Sequence, residues 1–467
     1  MDKASPGPEP SKLSVFQRIQ RDPKTPLALI IVVALLVHLP NLVNYPAWFF
    51  DEGAYLTFSN QWQKTGQLTY YGHPFGALAI LAILFAVANP TGYLIPRILM
   101  VVFSAVDGVL LYKIAKLAYS RTEAFPLVAS MIYVATPLSA RYLRLVVVDN
   151  FMALFLLLSL LLIMSKPRAQ VYSALLYGGA LVSKQTALFF LPALLIVFWR
   201  QKKPVSQILI WLIFSALIPL IWIIYGSYEI GPSELFSSQF GLTGLGGERA
   251  VNAVTLIIQR ITSRDPFIFL GLAGILWAIY KRDSIVAFPI AYLASFVILF
   301  LKISTVYLIP ALPFFSILGA ILLFDLLDRF PRVSAIPRFR TLLFGLIIVG
   351  LIISSLVLVI PQNPAVAQQD AVTYLAAQGS PSVIVSYTYM WIFQQNYPRI
   401  TVYDRYSVPW NQLTNKTIYL IVDFPGDLVT INGIPQYHQL YTSNQTTIVW
   451  NETISGYTVQ VLRGTVP

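Results

Sequence analysis

The chain has 467 residues, of which 57% are hydrophobic and 11% charged, whereas roughly a quarter of the residues of an ordinary soluble protein are charged. This composition excludes a water-soluble globule, because a hydrophobic core stops growing near 250–300 residues and the remaining apolar surface must face lipid. The absence of cysteine excludes disulfides, thiolate metal ligands and cysteine nucleophiles, and the net charge is +12.

About eleven hydrophobic runs approach the length that crosses a bilayer, which is about 20 mostly apolar residues. They are residues 27–44, 95–116, 124–141, 150–165, 171–183, 185–199, 207–225, 266–280, 284–301, 303–327 and 341–360. One more run, residues 73–88, begins with His73-Pro74 and would change the side of every later loop if it crossed. Short cytoplasmic loops collect Lys and Arg, and the basic loops fall on one side only if 73–88 stays outside. We therefore predict a polytopic α-helical membrane protein in which 73–88 is a re-entrant or interfacial helix.

Three regions follow from this topology. Residues 1–26 are predicted to be a disordered cytoplasmic tail, and residues 27–361 a transmembrane catalytic domain whose first outer loop is 45–96. Residues 362–467 are polar and are predicted to form a small extracytoplasmic α/β domain. We expect the chain in the plasma membrane, with its N-terminus in the cytoplasm and its C-terminal domain outside the cell. The basic excess then reflects topology and not nucleic-acid binding.

The C-terminal region contains one helix-like run and four strand-like runs. They are Ala365–Gln378, then Ser382–Tyr387, Ile400–Tyr403, Thr417–Asp423 and Tyr457–Leu462. Three Asn-X-Thr glycosylation sequons, at Asn415, Asn444 and Asn451, fit a domain exposed outside the cell.

Two adjacent acids stand at the start of the first outer loop, in Trp48-Phe49-Phe50-Asp51-Glu52. Ionisable groups beside hydrocarbon are costly unless they are solvated or used, so the pair is a functional candidate. The alternative is an interfacial aromatic belt with two incidental acids.

This pattern resembles the signature of the lipid-dependent GT-C glycosyltransferases, specifically the protein O-mannosyltransferase and aminoarabinose transferase group. The resemblance covers about residues 27–330 and includes the acid pair, the His-Pro start of 73–88 and Arg97 at the opening of the next span. The other matching features, in chain order, are Arg141-Tyr-Leu-Arg144, Asp149, Gly178-Gly179, Lys184, Lys302 and Tyr307-Leu-Ile-Pro310-Ala-Leu-Pro313. The resemblance implies transfer of a hexose or pentose from a dolichyl or undecaprenyl monophosphate carrier to a hydroxyl on the outer face, with inversion.

Such a reaction needs a carboxylate that takes the proton of the acceptor hydroxyl, and we predict that Asp51 is this base. Glu52 orients the acceptor or shares the proton, and the order of the two roles stays open. Fixed cations stabilise a phosphate leaving group, although ordinary snorkelling is the alternative for each of them. The predicted substrate-binding residues are His73, Arg97, Arg141, Arg144, Asp149, Lys184, Lys302 and Tyr307. A monophosphate can be bound by side chains alone, so no obligatory metal is predicted, while a divalent ion near Asp149 stays open.

Two other functions remain as alternatives. An oligosaccharyltransferase shares the architecture, but we would expect a Trp-Trp-Asp motif in a large soluble domain, to which Trp450-Asn451-Glu452 is the nearest approach. A transporter or flippase of lipid-linked sugars concentrates polar residues near the bilayer midplane, whereas this chain concentrates them at the outer surface. The donor sugar is open, as is the acceptor: a protein Ser or Thr, a lipid-linked glycan or a membrane lipid.

Overall fold

The protein's structure is a computed structural model in which residues 24–119, 124–165, 169–241, 265, 268–298, 305–329, 339–379, 381–424 and 434–466 are described. Most of the predicted cytoplasmic tail and the candidate residue Lys302 lie outside these ranges.

Every predicted span overlaps helical structure within the described ranges. The described helices that precede the C-terminal region are α1 Lys24–His38, α2 Phe50–Thr65, α3 Gly76–Ala88, α4 Leu94–Ala118, α5 Ala124–Ala135, α6 Pro137–Tyr142, α7 Val148–Ser165, α8 Gln170–Ser183, α9 Leu191–Arg200, α10 Val205–Ile230, α11 Pro232–Gly241, α12 Ile268–Lys281, α13 Ala287–Ile298, α14 Leu312–Arg329 and α15 Phe339–Val359. Short 3₁₀ segments, Gln185–Phe190, Ser284–Val286 and Thr305–Ala311, precede α9, α13 and α14. The run 124–141 is divided because Thr136 caps α6 by accepting from the Ser139 backbone N–H, with Pro137 in the first turn.

Five described helical stretches are long and apolar enough to cross a membrane. They are Leu94–Ala118, Val148–Ser165, Val205–Ile230, Val306–Arg329 and Phe339–Ala376, and six shorter apolar helices accompany them. The chain is therefore a multi-pass helical membrane protein, while the count of about eleven spans remains a prediction. Helix α3, the predicted non-crossing run, packs against α2 of the first outer loop.

The C-terminal region forms a mixed five-stranded sheet in the order β2-β1-β3-β5-β4. Its elements are α16 Pro364–Ala376, β1 Ser382–Val385, α17 Tyr387–Asn396, β2 Thr401–Asp404, α18 Trp410–Leu413, β3 Thr417–Phe424, α19 Pro435–Thr442, β4 Thr447–Ile454 and β5 Tyr457–Thr465. Strand β1 runs parallel to β2 and β3, and β5 is antiparallel to β3 and β4. The predicted strands are present, but β4 was missed because it is a half-exposed edge strand with polar residues on both faces.

The C-terminal domain packs directly on the helix that carries the two candidate acids. Helix α17 lies against α2, where a Cβ at Gly53 would clash with the Tyr387 backbone carbonyl. The Tyr93 hydroxyl donates to the Thr388 carbonyl at 2.7 Å, and the Trp48 and Tyr93 rings stack at 4.9 Å. This docking places the domain beside the N-terminus of α2.

Candidate active site

Helix α2 presents the two adjacent acids to different environments. The helix begins at Phe50, so Asp51 and Glu52 lie in its first turn, where the positive end of the helix dipole stabilises carboxylates. Successive helical residues point about 100° apart. As a result Glu52 is fully buried, whereas Asp51 is only half-buried.

The Glu52 carboxylate is held by four hydrogen bonds. Arg97 donates from Nε to Oε1 at 3.1 Å and from Nη2 to Oε2 at 2.8 Å. The backbone N–H groups of Val146 and Phe49 donate to Oε1 and Oε2 at 2.9 and 3.2 Å. Both members of the ion pair have 0% exposed side chains. The geometry therefore favours a structural role for Glu52 over contact with the acceptor.

Arg97 and Arg144 together organise the end of α1 and the turn that follows it. Both side chains are completely buried. Arg97 donates to the carbonyl oxygens of Leu42 (3.0 Å) and Pro46 (3.1 Å), and Arg144 to those of Val37 (2.8 Å), Pro40 (3.0 Å) and Tyr45 (3.3 Å). Carbonyls at a helix end need donors from outside the helix. The structure thus favours a positioning role for both arginines and not the expected phosphate contact.

Lys184 and Asp149 form a second buried ion pair. The Lys184 Nζ lies 2.7 Å from Asp149 Oδ1 and 2.8 Å from Oδ2, and both side chains are 3% exposed. The same Nζ lies 3.8 Å from the centroid of the Tyr307 ring. Three residues predicted from distant positions in the sequence are therefore brought together between α7, the end of α8 and the 3₁₀ segment before α14.

Asp51 differs from the other acids of the site because its carboxylate has no hydrogen-bond partner among the described residues. Burial raises the pKa of Asp51 to about 6. Lys184 opposes this rise, while the negative charges of Asp149 and Glu52 add to it. Asp51 is therefore a carboxylate that is free to exchange a proton near neutral pH.

His73 lies beside this cluster as a neutral imidazole. Burial, helped by the charge of Lys184, lowers the pKa of His73 to about 3. Its Nδ1 lies 3.2 Å from Gln185 Oε1, and Gln185 Nε2 donates to the Gln239 carbonyl at 2.7 Å. Because Gln185 Oε1 can only accept, Nδ1 carries the proton and Nε2 is left as an acceptor. His73 is thus suited to hydrogen bonding and not to neutralising a phosphate charge.

Aromatic side chains surround the cluster, and sequence reasoning did not single them out. The His73 ring lies 5.8 Å from Tyr55 and 6.2 Å from Tyr70. Phe58 connects Tyr70, at 4.8 Å, to Tyr387 of the C-terminal domain, at 5.2 Å. The aromatic composition of the first loop was the available signal for Tyr55, Phe58 and Tyr70. Tyr387 lies more than 300 residues away in sequence and no local pattern indicates its position.

An apolar cavity of about 440 Å³ lies next to the polar cluster. Its lining includes Pro74, Leu181, Gln185, Pro219, Trp222 and Leu235. Gln185 belongs to this lining and also contacts His73, so the cavity adjoins the site that holds the charged residues.

Arg141 is the remaining described cation among the predicted binding residues. It is half-exposed at the end of α6, its guanidinium lies 5.5 Å over the Tyr142 ring, and it forms no ion pair within the described ranges. Helix α6 contacts the 3₁₀ segment that carries Tyr307. Lys302 falls outside the described ranges. In the part of the chain that the structure describes, no group of three or more His, Cys, Asp or Glu residues is arranged to hold a metal ion.

Comparison with known proteins supports the resemblance drawn from these residues. The sequence profile of a family described as dolichyl-phosphate-mannose-protein mannosyltransferase matches residues 72–225. No curated protein sequence matches the chain significantly.

The fold is similar to that of several solved structures. ArnT from Cupriavidus metallidurans bound to undecaprenyl phosphate has a TM-score of 0.58 and 13% identity, covering 96% of this chain and 98% of that one. The same protein in the apo state has a TM-score of 0.56 and 14% identity, covering 93% and 97%. The archaeal oligosaccharyltransferase AglB from Archaeoglobus fulgidus, with an inhibitory peptide and a dolichol-phosphate, has a TM-score of 0.53 and 12% identity. That match covers 83% of this chain and 65% of AglB.

At such low identities these matches establish the fold alone. The predicted resemblance to the GT-C glycosyltransferases of the protein O-mannosyltransferase and ArnT group is thereby confirmed.

Proposed function

We propose that this chain, which has the fold of the GT-C membrane glycosyltransferases, transfers a sugar from a polyprenyl monophosphate carrier to a hydroxyl acceptor. One observation carries the proposal: Asp51 is a half-buried carboxylate with no hydrogen-bond partner in the described ranges, and it stands beside the Lys184–Asp149 pair. Asp51 takes the hydroxyl proton as the acceptor oxygen attacks the anomeric carbon. The bond from that carbon to the phosphate oxygen breaks, and a single displacement inverts the anomeric centre. General-base help of this kind contributes about 10²–10⁴ in rate.

The phosphate and the isoprenoid chain of the carrier bind in different regions, the polar cluster and the neighbouring cavity. The isoprenoid chain occupies the apolar cavity of about 440 Å³, since apolar surface is stabilised when it leaves water. Its phosphate lies near Arg141, because the buried arginines Arg97 and Arg144 already donate to protein carbonyls. Undecaprenyl phosphate in ArnT and dolichol-phosphate in AglB support this class of carrier. The phosphate is bound by side chains, and no obligatory metal is part of the proposal.

We place the site on the outer face of the plasma membrane, with the N-terminus in the cytoplasm. The excess of Lys and Arg in the loops at the opposite end supports this orientation. The acceptor is a hydroxyl of a protein, a glycan or a lipid that reaches the site from outside.

The Arg141→Gln variant tests whether Arg141 binds the phosphate of the donor. A hydrogen bond to a charged group contributes about 1.5–3 kcal/mol, so the KM for the lipid-linked donor is expected to rise about 10- to 100-fold. The thermal unfolding midpoint should stay within about 2 °C, because Arg141 forms no ion pair with described residues. Donor titrations of turnover in detergent measure both values.

Arg399→Gln is the matched control for Arg141→Gln, since Arg399 is an exposed arginine of the C-terminal domain. An unchanged KM in Arg141→Gln, or an equal rise in both variants, would remove Arg141 from the donor site.

The pH dependence of turnover tests the base. A base must be ionised to accept a proton, and the raised pKa of Asp51, about 6, sets where ionisation is lost. The kcat is therefore expected to level off above about pH 7 and to fall about tenfold per pH unit well below pH 6. Thermal unfolding across the same range serves as the control. A kcat that stays level down to about pH 4.5 would mean that an acid with an ordinary pKa acts as the base.

A single reconstitution experiment separates the proposed reaction from its alternatives. The purified chain in sealed vesicles is supplied with a polyprenyl monophosphate sugar and with hydroxyl acceptors of each class, a Ser/Thr peptide, a glycan and a membrane lipid, and the lipid products are separated by chromatography. A transferase converts the donor to polyprenyl monophosphate. A flippase moves the donor between leaflets without cleaving it, and an oligosaccharyltransferase cleaves only a carrier that bears an assembled glycan. Either of the latter results would replace the proposed function.

A further inference from the structure

We propose that Gln368 of the C-terminal domain is a positioning residue that holds the segment leading into the catalytic helix α2. The catalytic consequence rests on the proposed function, because it assumes that Asp51 is the base. The physical link itself is independent of any reaction.

The Gln368 side chain pairs with the backbone of Trp48 at two points. The Trp48 N–H donates to Gln368 Oε1 at 2.6 Å, and Gln368 Nε2 lies 3.2 Å from the Trp48 carbonyl oxygen. The side chain of Gln368 is completely buried, in helix α16. Its amide therefore satisfies both backbone groups of one loop residue, as a neighbouring strand would do.

A carboxylate at the end of β3 fixes the orientation of this amide. Asp423 Oδ2 accepts from Gln368 Nε2 at 3.1 Å and from the Tyr457 hydroxyl at 3.0 Å, and Asp423 Oδ1 accepts from the Tyr389 hydroxyl. Because a carboxylate only accepts, the amide nitrogen must face Asp423, which leaves the amide oxygen facing the Trp48 N–H.

The held segment is short and leads directly to Asp51. Trp48 is two residues before the first residue of α2 and three before Asp51. On its other side the segment is tied by the Phe49 N–H, which donates to Glu52 at 3.2 Å. The start of α2 is thus fixed between the buried Glu52–Arg97 pair and the C-terminal domain, which sets the direction in which the Asp51 carboxylate points.

Loss of this link is expected to act on the chemical step more than on donor binding. The donor contacts proposed above, Arg141 and the apolar cavity, lie on other elements than the segment that Gln368 holds. A displacement of about 1 Å at a reacting group can cost about 10²-fold in rate. Gln368→Ala should therefore lower kcat by about 10- to 100-fold and leave the KM for the donor within about twofold.

The neighbouring residue provides a matched control. Gln369 lies on the same helix and donates to the Asn44 side chain at 3.4 Å, and it forms no hydrogen bond to Trp48 within the described ranges. Gln369→Ala removes the same side chain one position away and should leave kcat unchanged. Asp423→Asn is the second test variant, since it keeps the volume of the side chain but leaves one acceptor oxygen for the three donors Gln368, Tyr389 and Tyr457.

The experiment combines hydrogen exchange with kinetics on the full chain in lipid nanodiscs. In Gln368→Ala, amide exchange of a peptide covering residues 45–53 should rise at least tenfold over wild type and over Gln369→Ala, together with the fall in kcat. Asp423→Asn should move both readouts in the same direction, and it decides the question if Gln368→Ala does not fold.

Unchanged exchange in residues 45–53, or a loss of activity that lies wholly in KM, would overturn the positioning role. If the wild-type chain cleaves no polyprenyl monophosphate sugar, the proposed function fails, and the exchange measurement still decides whether Gln368 holds the segment.

Discussion

Asp51→Asn is expected to lower kcat by about 10²–10⁴ while the protein keeps its wild-type thermal stability. The amide has the size of the carboxylate but cannot take a proton from the acceptor. Stability should be retained because the Asp51 carboxylate has no hydrogen bond within the described ranges, and because burial already raises its pKa to about 6. Turnover of a polyprenyl monophosphate sugar and thermal unfolding of the purified variant measure the two effects.

The exposed acid Asp370 supplies a control for this variant, since Asp370→Asn removes the same charge from the surface of the C-terminal domain. If Asp51→Asn keeps more than about a third of the wild-type kcat, proton transfer by Asp51 is not part of the rate-limiting chemistry.

Glu52→Gln is expected to show the opposite result, a severe loss of stability. Glu52 accepts four hydrogen bonds at 0% exposure, two of them from Arg97. Removing one partner of a buried ion pair costs about 3–5 kcal/mol because the other charge is left uncompensated. The variant should unfold at a markedly lower temperature and be recovered in poor yield. The change is measured by thermal unfolding in detergent, and kcat is corrected for the folded fraction.

A surface ion pair gives the comparison for Glu52→Gln. Arg340 and Asp328 lie 2.8 Å apart, with side chains 35% and 56% exposed, and such pairs contribute about 0–1 kcal/mol. Arg340→Gln should therefore have little effect. A Glu52→Gln protein with wild-type stability but no turnover would reverse the roles assigned to the two acids.

Hydrophobic runs predicted the positions of the helices because lipid imposes this pattern directly on the sequence. Hydropathy alone predicts residues 124–141 as one continuous helix. It misses the break at Thr136, which caps the start of a second, short helix. In the C-terminal domain, β4 lacked an alternating pattern because it is an edge strand with little buried surface.

A charged residue beside an apolar span is costly unless it is paired or solvated, which made Asp149 and Lys184 candidates from the sequence. These two residues carry opposite charges, and the structure pairs them, with Lys184 Nζ 2.7 Å from Asp149 Oδ1. Arg97 and Arg144 are also charged residues beside apolar spans, but their N–H groups donate to backbone carbonyls near the end of α1. The sequence does not show which carbonyls lack a partner within their helix, because this depends on the folded structure.

Gln368 and Tyr387 lay beyond sequence reasoning for a different reason. Both reach the first loop from the C-terminal domain, about 300 residues away, through contacts that leave no local pattern. Long-range packing of this kind also distinguishes the two adjacent acids, since it buries Glu52 against Arg97 and leaves Asp51 half-buried.

The most direct measurement of the central claim uses the absence of cysteine from the chain. Asp51→Cys carries a single thiol, and its accessibility from outside is measured by adding a membrane-impermeant maleimide to intact cells. The account predicts labelling from outside, and slower labelling of the purified protein when polyprenyl monophosphate is added. Lys281→Cys, at the predicted cytoplasmic end of α12, should react only after the cells are opened. Labelling of Asp51→Cys only in opened cells, or at a rate that the lipid phosphate does not change, would contradict the placement of the base at the outer carrier site.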